Sequence, residues 1–223
     1  VSGPLVIVGD SLFGEIAYEY FTHDSDYEPV AFAVEREYRK RDELFGLPVV
    51  DFETLTESHP PAQHSVYVAL VYTQLNRLRG RLAAAAKELG YGLASYVSSS
   101  AFVWRNVELG EHCFVFEDNV VQPFVKLGGN VVLWSGNHIG HHSRIRDNVF
   151  IASHVVVSGS VDIGENSFLG VNATLVNDIT VGRDVWIGPD VTLTRDAPDG
   201  AVYRPARSEL RDIDSYELLG VDR

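Results

Sequence analysis

Ile139-Gly140-His141-His142-Ser143-Arg144-Ile145-Arg146-Asp147-Asn148-Val149-Phe150-Ile151 carries an isoleucine at every sixth residue. The same step runs without a slip from Leu109 through Val115, Val121, Leu127, Leu133, Ile139, Ile145, Ile151, Val157, Ile163, Leu169, Leu175 and Val181 to Ile187 and Leu193. The residue two places earlier is usually small or β-branched (Ser143, Val149, Ser167, Ala173), and the residue after is often glycine (Gly110, Gly128, Gly140, Gly164, Gly170, Gly182, Gly188). Helices repeat apolar residues at steps of three and four, and strands at steps of two. A six-residue period describes a chain that runs a short strand, turns a corner and repeats, so that three hexads close one triangular coil. That is a parallel β-helix. The aliphatic residue of each hexad points inward and stacks on the one eighteen positions later, so Leu109, Leu127, Ile145, Ile163 and Val181 form one column. The fifteen hexads of 107–196 predict about five coils, roughly 24 Å of prism at ~4.8 Å per coil. Small residues fit the corners, and glycine is expected to supply backbone freedom at the bends.

Outward from the repeat, residues 1–100 read as an α/β domain. Leu5-Val6-Ile7-Val8 is followed by Gly9-Asp10-Ser11-Leu12-Phe13-Gly14 and a helical pattern over 15–21. Strand, glycine turn, helix opens a doubly wound α/β unit, in which a phosphate can sit on the helix N-terminus. Ser11 stands where the dinucleotide fingerprint has its middle glycine, so a ligand loop and a plain turn both fit. A strand over 30–34 ends in Glu35, which can hold a ribose hydroxyl or simply be solvated. Pro48-Val49-Val50 is a short strand, with Asp51 expected to cap the helical stretch after it. Residues 65–71 form a buried-type strand. Residues 76–89 form an Ala-rich helix stopped by Gly90, and 93–97 close a small parallel, Rossmann-like sheet. Ser98-Ser99-Ser100 is the hinge into the β-helix domain, 101–196, and 197–223 is a C-terminal tail.

The chain of 223 residues has room for two modest domains, and its formal net charge of −13 opposes nonspecific binding to nucleic acid or a membrane surface. An anionic ligand must therefore be held by local arginines, backbone N–H groups or helix N-termini. No apolar run is long enough to span a membrane and no signal-peptide pattern opens the sequence, so the expectation is a cytoplasmic protein. The single cysteine, Cys113, occupies a corner position and reads as a buried structural thiol rather than a nucleophile.

Four histidines, His138, His141, His142 and His154, fall within seventeen residues. They lie off the inward positions, so they face outward. His141 stacks between Pro123 one coil earlier and Gly159 one coil later; His154 lies between Gly136 and Asn172, and His138 between Val120 and Val156. An imidazole beside an unobstructed backbone N–H is the pairing acyl transfer needs. The ring removes the nucleophile's proton and the N–H receives the oxyanion. His142 or His138 can orient His141.

A small nucleotide-binding-like domain, a hexapeptide β-helix and the tail motif Pro205-Ala206-Arg207 together resemble the bacterial sugar-nucleotide acetyltransferases. These are the bacillosamine- and perosamine-type N-acetyltransferases and their sialic-acid O-acyltransferase relatives. The resemblance covers nearly the whole chain. It implies a left-handed β-helix and a homotrimer, with acetyl-CoA lying in the cleft between neighbouring prisms. It aligns His141 with the family's base and Gly159 with the N–H facing the thioester oxygen. It also implies sugar-nucleotide contacts at Gly9, Asp10, Ser11, Gly14, Glu35 and Trp134, and coenzyme contacts at Gly159, Asn177, Trp186, Arg204 and Arg207. Trp186 reads first as a trimer-packing aromatic and only second as a coenzyme contact, and the two arginines can also be solvated tail charges. The family often follows its base with a carboxylate; here the sequence is Gly140-His141-His142. The expected activity is acetyl-CoA-dependent N-acetylation of a nucleotide-linked amino sugar for surface glycans, with no metal. The alternatives are sugar O-acetylation, a zinc hydratase of the β-helix carbonic-anhydrase type, and a non-catalytic binding protein.

Overall fold

The computed structural model describes residues 3–206 and 208–222. Five strands of the first domain are parallel: β1 (Gly3–Val8), β2 (Tyr27–Val34), β4 (Leu47–Asp51), β5 (Ser65–Val68) and β6 (Gly92–Leu93). The two-residue β3 (Glu43–Leu44) adds antiparallel to β4, giving the order β3-β4-β2-β1-β5-β6. Leu5 and Ile7 face one side of β1 and Val6 and Val8 the other, and all four are buried, as in a sheet covered on both faces. Helix α1 (Leu12–His23) covers the first side through Phe13, Ala17 and Phe21. The four-residue α2 (Leu55–Ser58) and α3 (Arg77–Glu88) cover the second through Leu55, Leu82, Ala83 and Ala86. Asp51 does not cap the following helix; its carboxylate pairs with Arg36 and Arg39 instead.

The second domain is the parallel β-helix, and it is left-handed. Two-residue strands stack in register every eighteen residues on three faces. Side chains of the first face run Tyr96, Phe114, Val132, Phe150, Phe168, Trp186 and Val202. The second carries Phe102, Val120, His138, Val156, Thr174 and Thr192, and the third Glu108, Lys126, Arg144, Asp162 and Thr180. The inward hexad residues from Val115 to Leu193 form one core with the residues two places before them. Leu109, at the open end, stays 40 % exposed. The prism also begins a coil earlier than the hexads from 107 predict. Tyr96–Val97 and Phe102–Val103 pair with Phe114–Val115 and Val120–Val121, so 93–97 is divided between the two domains.

The corner glycines serve a different purpose from the one expected. None of Gly110, Gly128, Gly140, Gly164, Gly170, Gly182 and Gly188 has positive φ. The left-handed residue stands two places later, at His112, Asn130, His142, Asn166, Asn172, Asp184 and Asp190, with φ between 56° and 60°. The glycines allow coils to approach: a Cβ on Gly140 would lie 2.5 Å from the Ser158 carbonyl carbon.

The two domains form one packed body. Phe13, Tyr20 and Phe21 of α1 contact the Phe114–Phe116 region of the first face, with Phe13 and Phe114 edge to face at 5.6 Å. Helix α3 rests on the adjoining corner. There the buried Arg79 donates from Nε to Asn130 Oδ1 at 2.7 Å and from Nη2 to the Asn130 carbonyl at 2.8 Å. His112 accepts the Val68 N–H at Nε2 (2.8 Å), which leaves Nδ1 to donate to Asn130 Oδ1 (2.7 Å). Burial drives its pKa down to about 3, so it is a neutral pin between domains. The tail adds Val202–Tyr203 to the first face and ends in the exposed α4 (Ser215–Leu219).

Candidate active site

The corner between the second and third faces carries Gln122-Pro123-Phe124, then Gly140-His141-His142, then Ser158-Gly159-Ser160 on successive coils. The His141 main chain is tied on both sides: its N–H donates to Gln122 Oε1 (3.0 Å) and its carbonyl accepts from the Ser160 N–H (2.8 Å). The imidazole lies directly on Gly159. A Cβ there would meet Cε1 at 2.6 Å, Nε2 at 2.8 Å and Nδ1 at 3.1 Å. The Gly159 carbonyl accepts from Asp178, while its N–H finds no acceptor among the described residues. A proton acceptor and a free amide donor thus share one exposed corner.

His142 comes to His141, and His138 does not. The two Nδ1 atoms of His141 and His142 stand 3.1 Å apart, with the rings edge to face. His142 stacks on Phe124, centroids 4.6 Å apart. His138 projects from the second face and makes no hydrogen bond or ring contact with His141 among the described residues. His154 lies on a different corner, against Gly136.

A cleft of about 500 Å³ opens at the carboxyl ends of β1, β2 and β5, lined by Gly9, Asp10, Ser11, Glu35, Tyr38, Thr73, Gln74 and Arg81 among others. Chain order reverses between β1 and β5, so this is the topological switch point, where open α/β sheets take their ligands. The start of α1, at Ser11, borders it, and Leu78 from the first turn of α3 lines it, whereas Asn76 is buried with its side-chain amide donating to the Asn166 and Ser167 carbonyls. Asp10 is held by Arg41 at 3.3 Å, and Glu35 is gripped by both Nη atoms of Arg81 at 2.9 Å. Gly14 is not in the cleft lining. It lets α1 pack against the turn, where a Cβ would fall on the Gly9 carbonyl. The segment before α3 holds three successive left-handed residues, Gln74, Leu75 and Asn76, a strained run for non-glycine residues.

Trp134 and Trp186 both belong to the first face, away from the His141 corner. Trp134 stacks on Phe116 at 4.5 Å, and its buried Nε1 has no partner among the described residues. Trp186 stacks on Phe168 at 4.1 Å. With Tyr72, Phe150 and Pro189 they line an aromatic groove of about 430 Å³. Asn177 follows Gly159 in the corner column and is exposed, and Arg204 is exposed in the tail. Arg207 lies outside the described residues. Cys113 is fully buried, its thiol 3.1 Å from the Gly128 carbonyl and pushed up to about pKa 12 by burial. Among the described residues of one chain, no three His, Cys, Asp or Glu converge as metal ligands.

The sequence passed over Gln122, Phe124 and Arg81. Counting back eighteen places from Gly140 and His142 finds the first two. Arg81 meets Glu35 only through the fold.

No family model matches the chain, and no curated protein matches it in sequence. Solved structures do match in fold. A perosamine N-acetyltransferase from Caulobacter crescentus, with one histidine replaced by asparagine and bound to CoA and GDP-perosamine, superposes with a TM-score of 0.81 at 24 % identity, over 90 % of this chain and 92 % of the other. WeeI from Acinetobacter baumannii gives 0.69 at 19 % identity, over 90 % and 96 %. The acetyltransferase domain of PglB from Neisseria gonorrhoeae, in complex with acetyl coenzyme A, gives 0.61 at 21 % identity, over 91 % and 96 %. From sheet to prism, this chain has the fold of those acetyltransferases.

Proposed function

We propose that this chain is an acetyl-CoA-dependent N-acetyltransferase acting on a nucleotide-linked amino sugar. The observation that carries the reading is His141 seated on Gly159, a base next to an unspent N–H. The amine attacks the thioester carbonyl as its proton passes to His141, and the Gly159 N–H stabilises the oxyanion. The C–S bond then breaks, and the proton leaves with the coenzyme thiolate. The switch-point cleft suits the nucleotide. The N-terminus of α1 borders it as a donor for a diphosphate, and the Glu35 carboxylate, fixed by Arg81, can accept from ribose hydroxyls. The folds that match include proteins bound to CoA with GDP-perosamine or to acetyl coenzyme A.

In one chain the His141 corner has only one wall, so we assign the other to a second copy in a homotrimer. The second face, which leads into that corner, leaves Phe102, Val120 and Val156 exposed, an apolar strip suited to self-association. Asn177, Arg204 and Arg207 would then serve the coenzyme. The test is release of coenzyme A thiol from acetyl-CoA with UDP-, dTDP- and GDP-linked amino sugars, with the amide product identified by mass spectrometry. Amine-dependent release with at least one is expected; no release with any would overturn the reading.

A further inference from the structure

We infer that His142 is a positioning residue that sets the tautomer of His141 and the pH at which it works. This rests on the transferase reading of the same corner. Two imidazole nitrogens 3.1 Å apart make a hydrogen bond only if one carries the proton and the other a lone pair. With His141 donating from Nδ1 to His142 Nδ1, its Nε2 keeps the free lone pair. Cε1 and Nε2 are also the ring atoms that a Cβ on Gly159 would meet first. The opposite assignment would place the proton on Nε2, on the part of the ring that packs over Gly159, and leave no base there.

Phe124 supports the assignment independently. Its φ is 66° and its side chain is exposed, a poor setting for a bulky residue. The same corner position on later coils holds His142, Ser160 and Asp178, polar residues with the same left-handed φ. Nothing in the β-helix core explains a phenylalanine at this point. It does stack on His142 and so fixes the plane of the acceptor ring. The order across three coils is Phe124, His142, His141, Gly159: a clamp, an acceptor, a base and an oxyanion donor.

When the substrate amine gives its proton to Nε2, His141 becomes a cation whose Nδ1–H still points at His142. A neutral acceptor supports that cation less than a carboxylate and more than a hydrocarbon. No charged side chain makes a hydrogen bond or ion pair with either ring among the described residues. The corners on either side offer uncharged Gln122, Pro123, Phe124, Ser158, Gly159 and Ser160; the flanking strands carry His138 and Arg144, and Asp178 lies one coil beyond Gly159. The acid limb of the rate should therefore follow residue 142.

The experiment compares wild type, His142→Phe and His142→Glu by kcat and KM across pH. His142→Phe keeps a ring for Phe124 to stack on and removes the acceptor. It should lower kcat roughly tenfold or more, leave KM for acetyl-CoA unchanged, and move the acid limb to lower pH. His142→Glu should recover kcat and move the limb to higher pH, because an anion favours the protonated base. Coincident acid limbs in all three would overturn the inference. Ring-nitrogen NMR needs no activity: His141 should be protonated at Nδ1 in wild type, and a proton at Nε2 would overturn the assignment. If the NMR shows the Nδ1 tautomer while no amino sugar is acetylated, the transferase reading fails and the pairing stands.

Discussion

Gly159→Ala isolates the contact on which the chemistry depends. The new methyl would fall 2.6 Å from His141 Cε1 and 2.8 Å from Nε2. Carbon pairs rest at about 3.5–4.0 Å, so the ring must retreat by roughly 1 Å. Gly159 does not have positive φ, so alanine adds no backbone strain and the coil is kept. A misplacement of about 1 Å can cost on the order of 100-fold in rate, about 2.7 kcal/mol of barrier. The expected result is kcat down about 100-fold, with an unchanged melting temperature and unchanged KM for acetyl-CoA. Thiol release is a clean assay, because the single cysteine, Cys113, is buried. Gly140→Ala is the control, since its methyl would strike the Ser158 backbone and should lower the melting temperature. Full turnover in a folded Gly159→Ala enzyme would refute the role given to this corner.

Other outcomes follow from the same geometry. Ser11→Trp should raise KM for the sugar nucleotide and leave that for acetyl-CoA unchanged; equal effects on both would count against the switch-point cleft. Val120→Asp with Val156→Asp should turn a trimer into monomers by light scattering and abolish turnover, whereas an active trimer would remove the second face from the interface. Asp24 accepts from Tyr96 Oη and the Ser99 N–H, which lowers its pKa from 3.8 to about 2. Its folded value lies below its unfolded one, so its stabilisation is present above pH ~4 and is lost as pH falls toward 2. Asp24→Asn should therefore flatten that part of the melting-temperature profile; an unchanged profile would contradict it.

The prism was legible because a six-residue period leaves no competing structure, and because eighteen-residue spacing places side chains without any knowledge of loops. That arithmetic put His141 on Gly159 and His154 on Gly136, as observed. It misjudged the glycines, since coil-to-coil approach and left-handed backbone are separate demands met by different residues: Gly140 meets the first and His142 the second. The first coil was passed over although Val97 and Val103 keep the rhythm. Its outward Tyr96 serves domain docking, so 93–97 looked like a single sheet strand. The cleft was half visible, because Gly9, Asp10, Ser11 and Glu35 follow strands. Its other wall comes from Thr73, Gln74 and Arg81, brought in by a left-handed run that contains no glycine.

The most direct test of the account is single-turnover acetyl transfer by His141→Asn, with acetyl-CoA binding measured on the same sample. A positioned base is worth ~10²–10⁴-fold, so turnover should fall within that range while coenzyme affinity stays at the wild-type value. Turnover close to wild type would mean that the amine arrives already neutral, and that this corner works by positioning and oxyanion stabilisation alone.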